Sequence, residues 1–271
     1  MLMTLGSRAK LNNGIEIPYL GLGVYQTPPG EATMRAVSYA LKIGYRHIDT
    51  AELYGNETDV GRAVLASGIE REEIFITTKV WNSNQGYNST KHACQASLRR
   101  LGLSHVDLYL IHWPVQGNGS NTWRAMTELL KEGKVRAIGV SNYSIEDLKD
   151  ILKTSDIVPA VNQVEFHPFF YQNDLLQFCN KNKIHLESYS PLTRGKRLNH
   201  PDIIRIGKKT GKTPAQVLIR WALQHGLIVI PKSMHEARIK ENSKVYDFDL
   251  DTQDMNALDA MNENLQTVFL D

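Results

Sequence analysis

Cysteine is almost missing from this chain. Only Cys94 and Cys179 occur in 271 residues, each inside an expected helix. Two thiols without ligand spacing exclude a disulfide framework and a zinc cluster, and indicate reduced side chains in a reducing compartment. Long apolar runs are missing too. Nothing approaches the ~18 residues of a membrane span, and the first six residues lack the apolar core of a secretory signal. A cytoplasmic protein with no membrane partner is expected. Charge of one sign is also lacking: 31 Lys and Arg face 29 Asp and Glu, for a net +2. That balance gives no general case for binding nucleic acid. Two nucleotide motifs and one metal motif fail as well. There is no GxxxxGK[ST] loop and no HExxH. Gly21-Leu22-Gly23 begins like a dinucleotide fingerprint, but Gln26 stands where the third glycine belongs. No metal site is expected.

What is present is ordinary globular material, 42% hydrophobic and 22% charged, enough for a substantial core. Around Asn13-Gly14 the segment Lys10–Ile17 alternates as a hairpin does. Short apolar runs then alternate with amphipathic stretches. Strands are expected at 20–23, 46–49, 75–79, 106–111, 136–140, 160–165, 185–189 and 227–230. Helices are expected at 31–43, 57–67, 90–101, 122–132, 145–153, 174–182 and 214–225, with two more at 235–243 and 252–261. Asn56 reads as the N-cap of the second helix. Eight strands in βαβα order within about 250 residues favour a closed (β/α)8 TIM barrel, an α/β fold, over an open sheet. No linker divides the chain, so one domain, 1–271, is expected. Residues 1–19 would form the hairpin capping the barrel bottom, and 235–271 the last helices and a short tail.

In such a barrel the C-terminal strand ends converge on one site. The second strand ends at Asp49, with Tyr54 in the following loop. The third ends at Lys79, and the fourth runs into His112-Trp113-Pro114. Taken singly, each residue has a plain structural reading as an ion pair, a cap or a packed ring. Together, an ammonium held by Asp49 beside Tyr54 would stabilise the phenolate. Lowering that phenol from near 10 to roughly 7 needs about 4 kcal/mol at 1.36 kcal/mol per unit. Tyr54 would then be a general acid near neutral pH, with His112 orienting a carbonyl oxygen.

These residues carry a resemblance. Gly44–Glu57, Val106–Pro114 and Ile230–Asn242 resemble three signature regions of the aldo-keto reductase superfamily, and the likeness runs through essentially the whole chain. Small 2,5-diketogluconate reductase-like and prostaglandin F synthase-like members are most similar. The resemblance implies metal-independent, NADPH-dependent reduction of carbonyls, with Asp49, Tyr54, Lys79 and His112 as the catalytic tetrad. It also implies a cofactor site. Ser141, Asn142 and Gln163 would hold the nicotinamide carboxamide, and Tyr189 would stack on its ring. Gly23, Ser190 and Leu192 would line the cofactor path, the last two by backbone contacts to the pyrophosphate. Lys232, Ser233 and Arg238 would take the adenosine 2′-phosphate, and Glu241 and Asn242 the adenine, with Met234 and His235 also against the cofactor. A loop ammonium, a hydroxyl and a guanidinium at a helix start suit phosphate on general grounds.

Tyr25, Trp81 and Trp113 follow strands one, three and four and should ring the carbonyl position with His112. The segment 115–120 is short, and no longer tail is expected over the pocket. Broad specificity follows for small aldehydes, α-ketoaldehydes and diketones, because a few apolar contacts discriminate by only about 1–3 kcal/mol per methylene. The loop Arg194-Gly195-Lys196-Arg197 reads either as solvated or as a gate over the cofactor. A monomer is expected. Two other readings remain open: a non-catalytic or regulatory NADPH-binding barrel, and an unrelated metal-dependent barrel enzyme. The intact tetrad weighs against the first. The lack of carboxylate-rich or His-x-His strand ends weighs against the second.

Overall fold

A computed structural model describes residues 3–269; the expectations for Met1-Leu2 and Leu270-Asp271 fall outside those residues. The Asn-Gly turn forms its hairpin. β1 (Arg8–Lys10) and β2 (Glu16–Pro18) pair antiparallel with Ala9 opposite Ile17. Gly14 supplies the positive φ of 88° that the turn requires. Ala9, Leu11 and Ile17 pack on Phe75, Leu108, Ala137, Val161 and Ile228, mostly from the early halves of the barrel strands. The hairpin therefore plugs the barrel bottom.

The barrel strands are β3 (Leu22–Gly23), β4 (His47–Asp49), β5 (Phe75–Val80), β6 (Val106–Ile111), β7 (Val135–Ser141), β8 (Val161–Glu165), β9 (His185–Tyr189) and β10 (Ile228–Val229). They lie in sequence order in one sheet, each pair parallel. Parallel bridges Leu20–Val229 and Gly23–Lys232 join the first strand to the last and close the barrel. The Gly21 N–H donates to the Val229 carbonyl at 2.9 Å across this seam. A Cβ on Gly23 would lie 2.9 Å from the Ile230 carbonyl oxygen, and one on Gly21 2.6 Å from the His47 ring. Glycine is what lets the seam shut.

Among the described residues ten α-helices surround the strands: α1 (Glu31–Lys42), α2 (Glu57–Ala66), α3 (Tyr87–Leu101), α4 (Gly119–Lys131), α5 (Ile145–Thr154), α6 (Asn173–Lys181), α7 (Pro201–Thr210), α8 (Pro214–Gln224), α9 (Glu236–Ser243) and α10 (Thr252–Asp259). In α1 the buried positions Thr33, Ala36, Val37, Ala40 and Leu41 form the expected i, i+3, i+4 stripe. Capping boxes start α5, from Ser144 and Asp147, and α8, from Thr213 and Gln216.

Two expectations need correction. Helix α7 was not among the expected helices, yet Pro201 opens it, Ile203 and Ile206 bury one face, and Lys208-Lys209 stand in its last turn. Asn56 precedes α2, but its side chain makes no cap hydrogen bond. Its amide instead donates to the carbonyls of Val24 and Thr27 and its oxygen accepts from the Thr50 hydroxyl at 2.7 Å. It ties the loop after β3 to the loop after β4. Cys94 in α3 and Cys179 in α6 are buried and unpaired, and burial pushes both thiols up to about 12. No helix of the described residues is long and apolar enough to cross a membrane.

Candidate active site

Strands β4, β5 and β6 are neighbours in register, with Asp49 opposite Thr77 and Lys79 opposite Leu110. Their C-terminal ends deliver three groups to one place. Asp49 ends β4; a 3-10 turn over Glu52–Tyr54 follows, closed by Gly55 in the left-handed region, and presents the phenol. Lys79 is fully buried, and its ammonium has three protons to place. Nζ donates to Asp49 Oδ1 at 2.7 Å, to the Thr50 carbonyl at 3.0 Å and to the Tyr54 hydroxyl at 3.2 Å. All three protons are accounted for. Tyr54 therefore accepts from Lys79 and keeps its own proton free for the cleft. His112, just beyond β6, sets its ring edge-on to Tyr54 at 5.6 Å and to Trp81 at 5.0 Å.

The electrostatics overturn one expectation. Burial raises the Tyr54 phenol well above 10, and the negative charge of Asp49 raises it further. Lys79 does not lower it toward neutrality, because the carboxylate that anchors the ammonium opposes it. Tyr54 thus holds its proton throughout the neutral range. His112 is held well below 6.5 by burial and by the nearby Lys79 ammonium, so its imidazole is neutral.

A cavity of about 950 Å³ opens above these residues. Asp49, Tyr54 and His112 line it, while Lys79 lies beneath its wall. Every residue expected in the cofactor and carbonyl sites also lines it, as do Arg194 and Gly195 of the 194–197 loop, but not Lys196 or Arg197. On the carbonyl side are Tyr25, Trp81 and Trp113; along the expected cofactor path are Gly23, Ser141, Asn142, Gln163, Tyr189, Ser190 and Leu192. At the far end are Lys232, Ser233, Met234, His235, Arg238, Glu241 and Asn242.

The path residues are tied to one another. Asn142, in the left-handed region at φ 62°, donates to the His112 carbonyl at 3.0 Å and accepts from the Tyr189 hydroxyl at 2.8 Å. Ser141 Oγ donates to the Gln163 carbonyl at 2.8 Å. Gln163 points its amide nitrogen down into the barrel, donating to Asp49 Oδ2 and to Glu187 Oε2, both at 2.8 Å. Its amide oxygen takes no hydrogen bond from the described residues. Glu241 accepts from Thr213 Oγ1 at 2.8 Å, which braces the start of α8.

The far end is cationic. Neither Lys232 nor Arg238 has a carboxylate partner among the described residues, and Lys232 is pushed down by partial burial and by the neighbouring Arg194 charge. Arg194 reaches across the mouth, donating to Gln26 Oε1 at 2.9 Å and to the Thr267 carbonyl at 3.2 Å.

The family model of the aldo/keto reductase family matches residues 20–263. The chain belongs to this family. It is 48% identical to the glyoxal reductase of Bacillus subtilis (strain 168) over 96% of this chain and 95% of that one. Among solved structures, an aldo/keto reductase from Brucella melitensis aligns with TM-score 0.91 at 48% identity, over 94% of this chain and 99% of its own. An aldo-keto reductase complexed with NADPH aligns with TM-score 0.92 at 37% identity, over 99% and 91%.

Several residues of this reductase escaped the sequence reading. Val268 and Phe269 join the cleft wall because buried Glu165, in β8, accepts from the backbone N–H groups of Thr267 and Val268 at 2.9 and 3.1 Å. That pairing spans over a hundred residues and leaves no local signal. Glu187 did leave one: two positions before Tyr189 in a strand, it shares the inward face.

Proposed function

We propose that this reductase converts aldehydes and ketones to alcohols with NADPH, using Tyr54 as the proton donor. The observation that carries the reading is the hydrogen-bond count at Lys79, which leaves the Tyr54 proton free above an ammonium-anchored oxygen. NADPH, when bound, supplies a hydride to the carbonyl carbon. The chain's own residues do the rest. Tyr54 donates its proton to the carbonyl oxygen as negative charge develops there, and Lys79 stabilises the resulting phenolate from 3.2 Å. Asp49 keeps the ammonium in place. Neutral His112 hydrogen-bonds the same oxygen and orients it.

The cleft suits the cofactor. Lys232 and Arg238, unpaired at the start of α9, fit an anionic phosphate, as does the Ser233 hydroxyl. These cations support NADPH over NADH. Tyr189, with its hydroxyl fixed by Asn142, offers a flat ring for stacking. Ser141 and Asn142, with the free amide oxygen of Gln163, offer the mixed donors and acceptors a carboxamide needs.

Among the described residues five large apolar side chains are exposed, and four of them, Tyr25, Leu53, Met234 and Phe269, line this cleft. With Trp81 and Trp113 they make an open, aromatic mouth. Small aldehydes, α-ketoaldehydes and diketones with an apolar or aromatic substituent fit it, and the glyoxal reductase relative points the same way. The test is to mix the protein with NADPH and phenylglyoxal and follow the reduced cofactor's absorbance. Consumption is expected, with weak selection among carbonyl substituents. A protein that binds NADPH but consumes none with any aldehyde or diketone would contradict the reading.

A further inference from the structure

Beneath the tetrad lies an acid that the proposed reaction does not use. Glu187 is in β9, fully buried inside the barrel. Its Oε2 accepts the Gln163 amide at 2.8 Å, and the same nitrogen donates to Asp49. Its Oε1 has no hydrogen-bond partner. The ionisable groups facing it are His47 and Asp49 from β4 and Lys79 from β5, with Tyr54 beyond. From β10 it meets Ile228, and from β8 only the neutral amide. None of these is a counter-ion. The Lys79 protons are all placed elsewhere. His47 Nε2 is 3.6 Å away, but burial and Lys79 drive that imidazole down to about 3, so it is neutral and lies within reach of Thr77 Oγ1 at 3.1 Å.

A buried carboxyl without a cation keeps its proton. Desolvation, and then the charge of Asp49, push Glu187 up to about 8. At neutral pH the barrel interior thus holds one balanced pair, Lys79 with Asp49. Above about 8 it gains a net negative charge, one amide away from the carboxamide position.

Resting on the reading of the cleft as an NADPH site, we propose that Glu187 is a positioning residue that biases the site between the two charge states of the nicotinamide. Neutral, it leaves the floor indifferent between them. Ionised, it favours the cationic ring of NADP+ over the uncharged ring of NADPH. Coulomb attraction across about 12 Å at an effective dielectric of about 20 makes that bias about tenfold. The coupling is reciprocal: bound NADP+ favours ionised Glu187, and bound NADPH the protonated form.

The test needs no turnover. Dissociation constants of NADPH and NADP+ are measured at about pH 6.5 and about pH 9 by quenching of tryptophan fluorescence. In the wild type the affinity ratio of NADP+ to NADPH should rise about tenfold with pH, and in Glu187→Gln it should stay flat. Infrared difference spectra should show a protonated buried carboxyl that titrates near 8 in the wild type and is missing from the variant. A wild-type ratio that does not change, or one that rises equally in the variant, would overturn the proposal. If Glu187→Gln does not fold, the wild-type ratio decides alone, a flat ratio sinking the idea. If neither nucleotide binds at any pH, the cofactor reading fails instead. The infrared titration then still decides the state of Glu187, and finding no protonated carboxyl at about pH 6.5 refutes it.

Discussion

The two ends of the barrel are built to opposite rules. At the bottom, charge is paired and apolar surface is covered. Asp107 accepts from Arg71 at 2.7 Å and from Arg136 at 2.8 Å, and the hairpin seals the interior with Ala9, Leu11 and Ile17. At the mouth, Lys232 and Arg238 stand without carboxylate partners among the described residues, and large apolar side chains are exposed. There the backbone is bent as well. Gln26, Asn142, Ser190, Thr193 and Arg194 all adopt left-handed conformations that side chains disfavour. The bottom is what a chain does to stay folded. The mouth carries unpaired charge, open apolar surface and strain, and these become useful only when a ligand is present.

Substitutions at the two ends should therefore separate stability from activity. Lys79→Met should have the largest effect and the only mixed one. It strands a buried Asp49, costing about 3–5 kcal/mol of stability, and it removes the ammonium under Tyr54, lowering kcat by about 10²-fold or more. Thermal melts and steady-state kinetics on one preparation check both. Ile17→Ala, at the bottom, should cost about 2–4 kcal/mol in denaturant unfolding through the cavity it leaves. Its KM values for cofactor and carbonyl should stay within about twofold of the wild type. A large change in KM there would break the division.

Glu187→Gln tests the layer between the ends. The wild-type acid titrates near 8 when folded but near 4.5 when unfolded. Between those values the unfolded chain has given up a proton that the folded protein keeps. Wild-type stability therefore falls as pH rises through that window, by up to about 1.4 kcal/mol per unit. The variant escapes this loss, so its stability relative to the wild type should climb from about pH 5 to about pH 8 and level off above. Arg238→Ala should have the smallest effect on folding, within about 0.5 kcal/mol, since among the described residues the guanidinium has no hydrogen-bond or ion-pair partner. It should still weaken NADPH about tenfold or more with little effect on NADH. An unchanged ratio of efficiencies with the two cofactors would remove Arg238 from the phosphate site.

How much of this was legible in the sequence divides along the same axis. Strand boundaries fell within one or two residues because a short apolar run bounded by polar residues is a local signal. The convergence of Asp49, Tyr54, Lys79 and His112 followed from strand order alone. What failed depended on contacts between distant segments. The Tyr54 proton is held more tightly than the sequence suggested, because burial, and then the Asp49 charge, raise the phenol. Asn56 looked like a helix cap but holds two loops together. The wall at Val268 and Phe269 exists through Glu165, far away in the chain. One miss was local: Pro201 and the Ile203–Ile206 pair signal helix α7, which was not among the expected helices.

The proposed mechanism stands or falls on Tyr54 giving up its proton. The direct measurement is single-turnover oxidation of bound NADPH by phenylglyoxal in the wild type and in Tyr54→Phe, with cofactor binding measured separately in each. The account predicts unchanged NADPH binding and a rate at least about 10²-fold slower in the variant. A Tyr54→Phe protein that binds NADPH normally and turns over at the wild-type rate would contradict it.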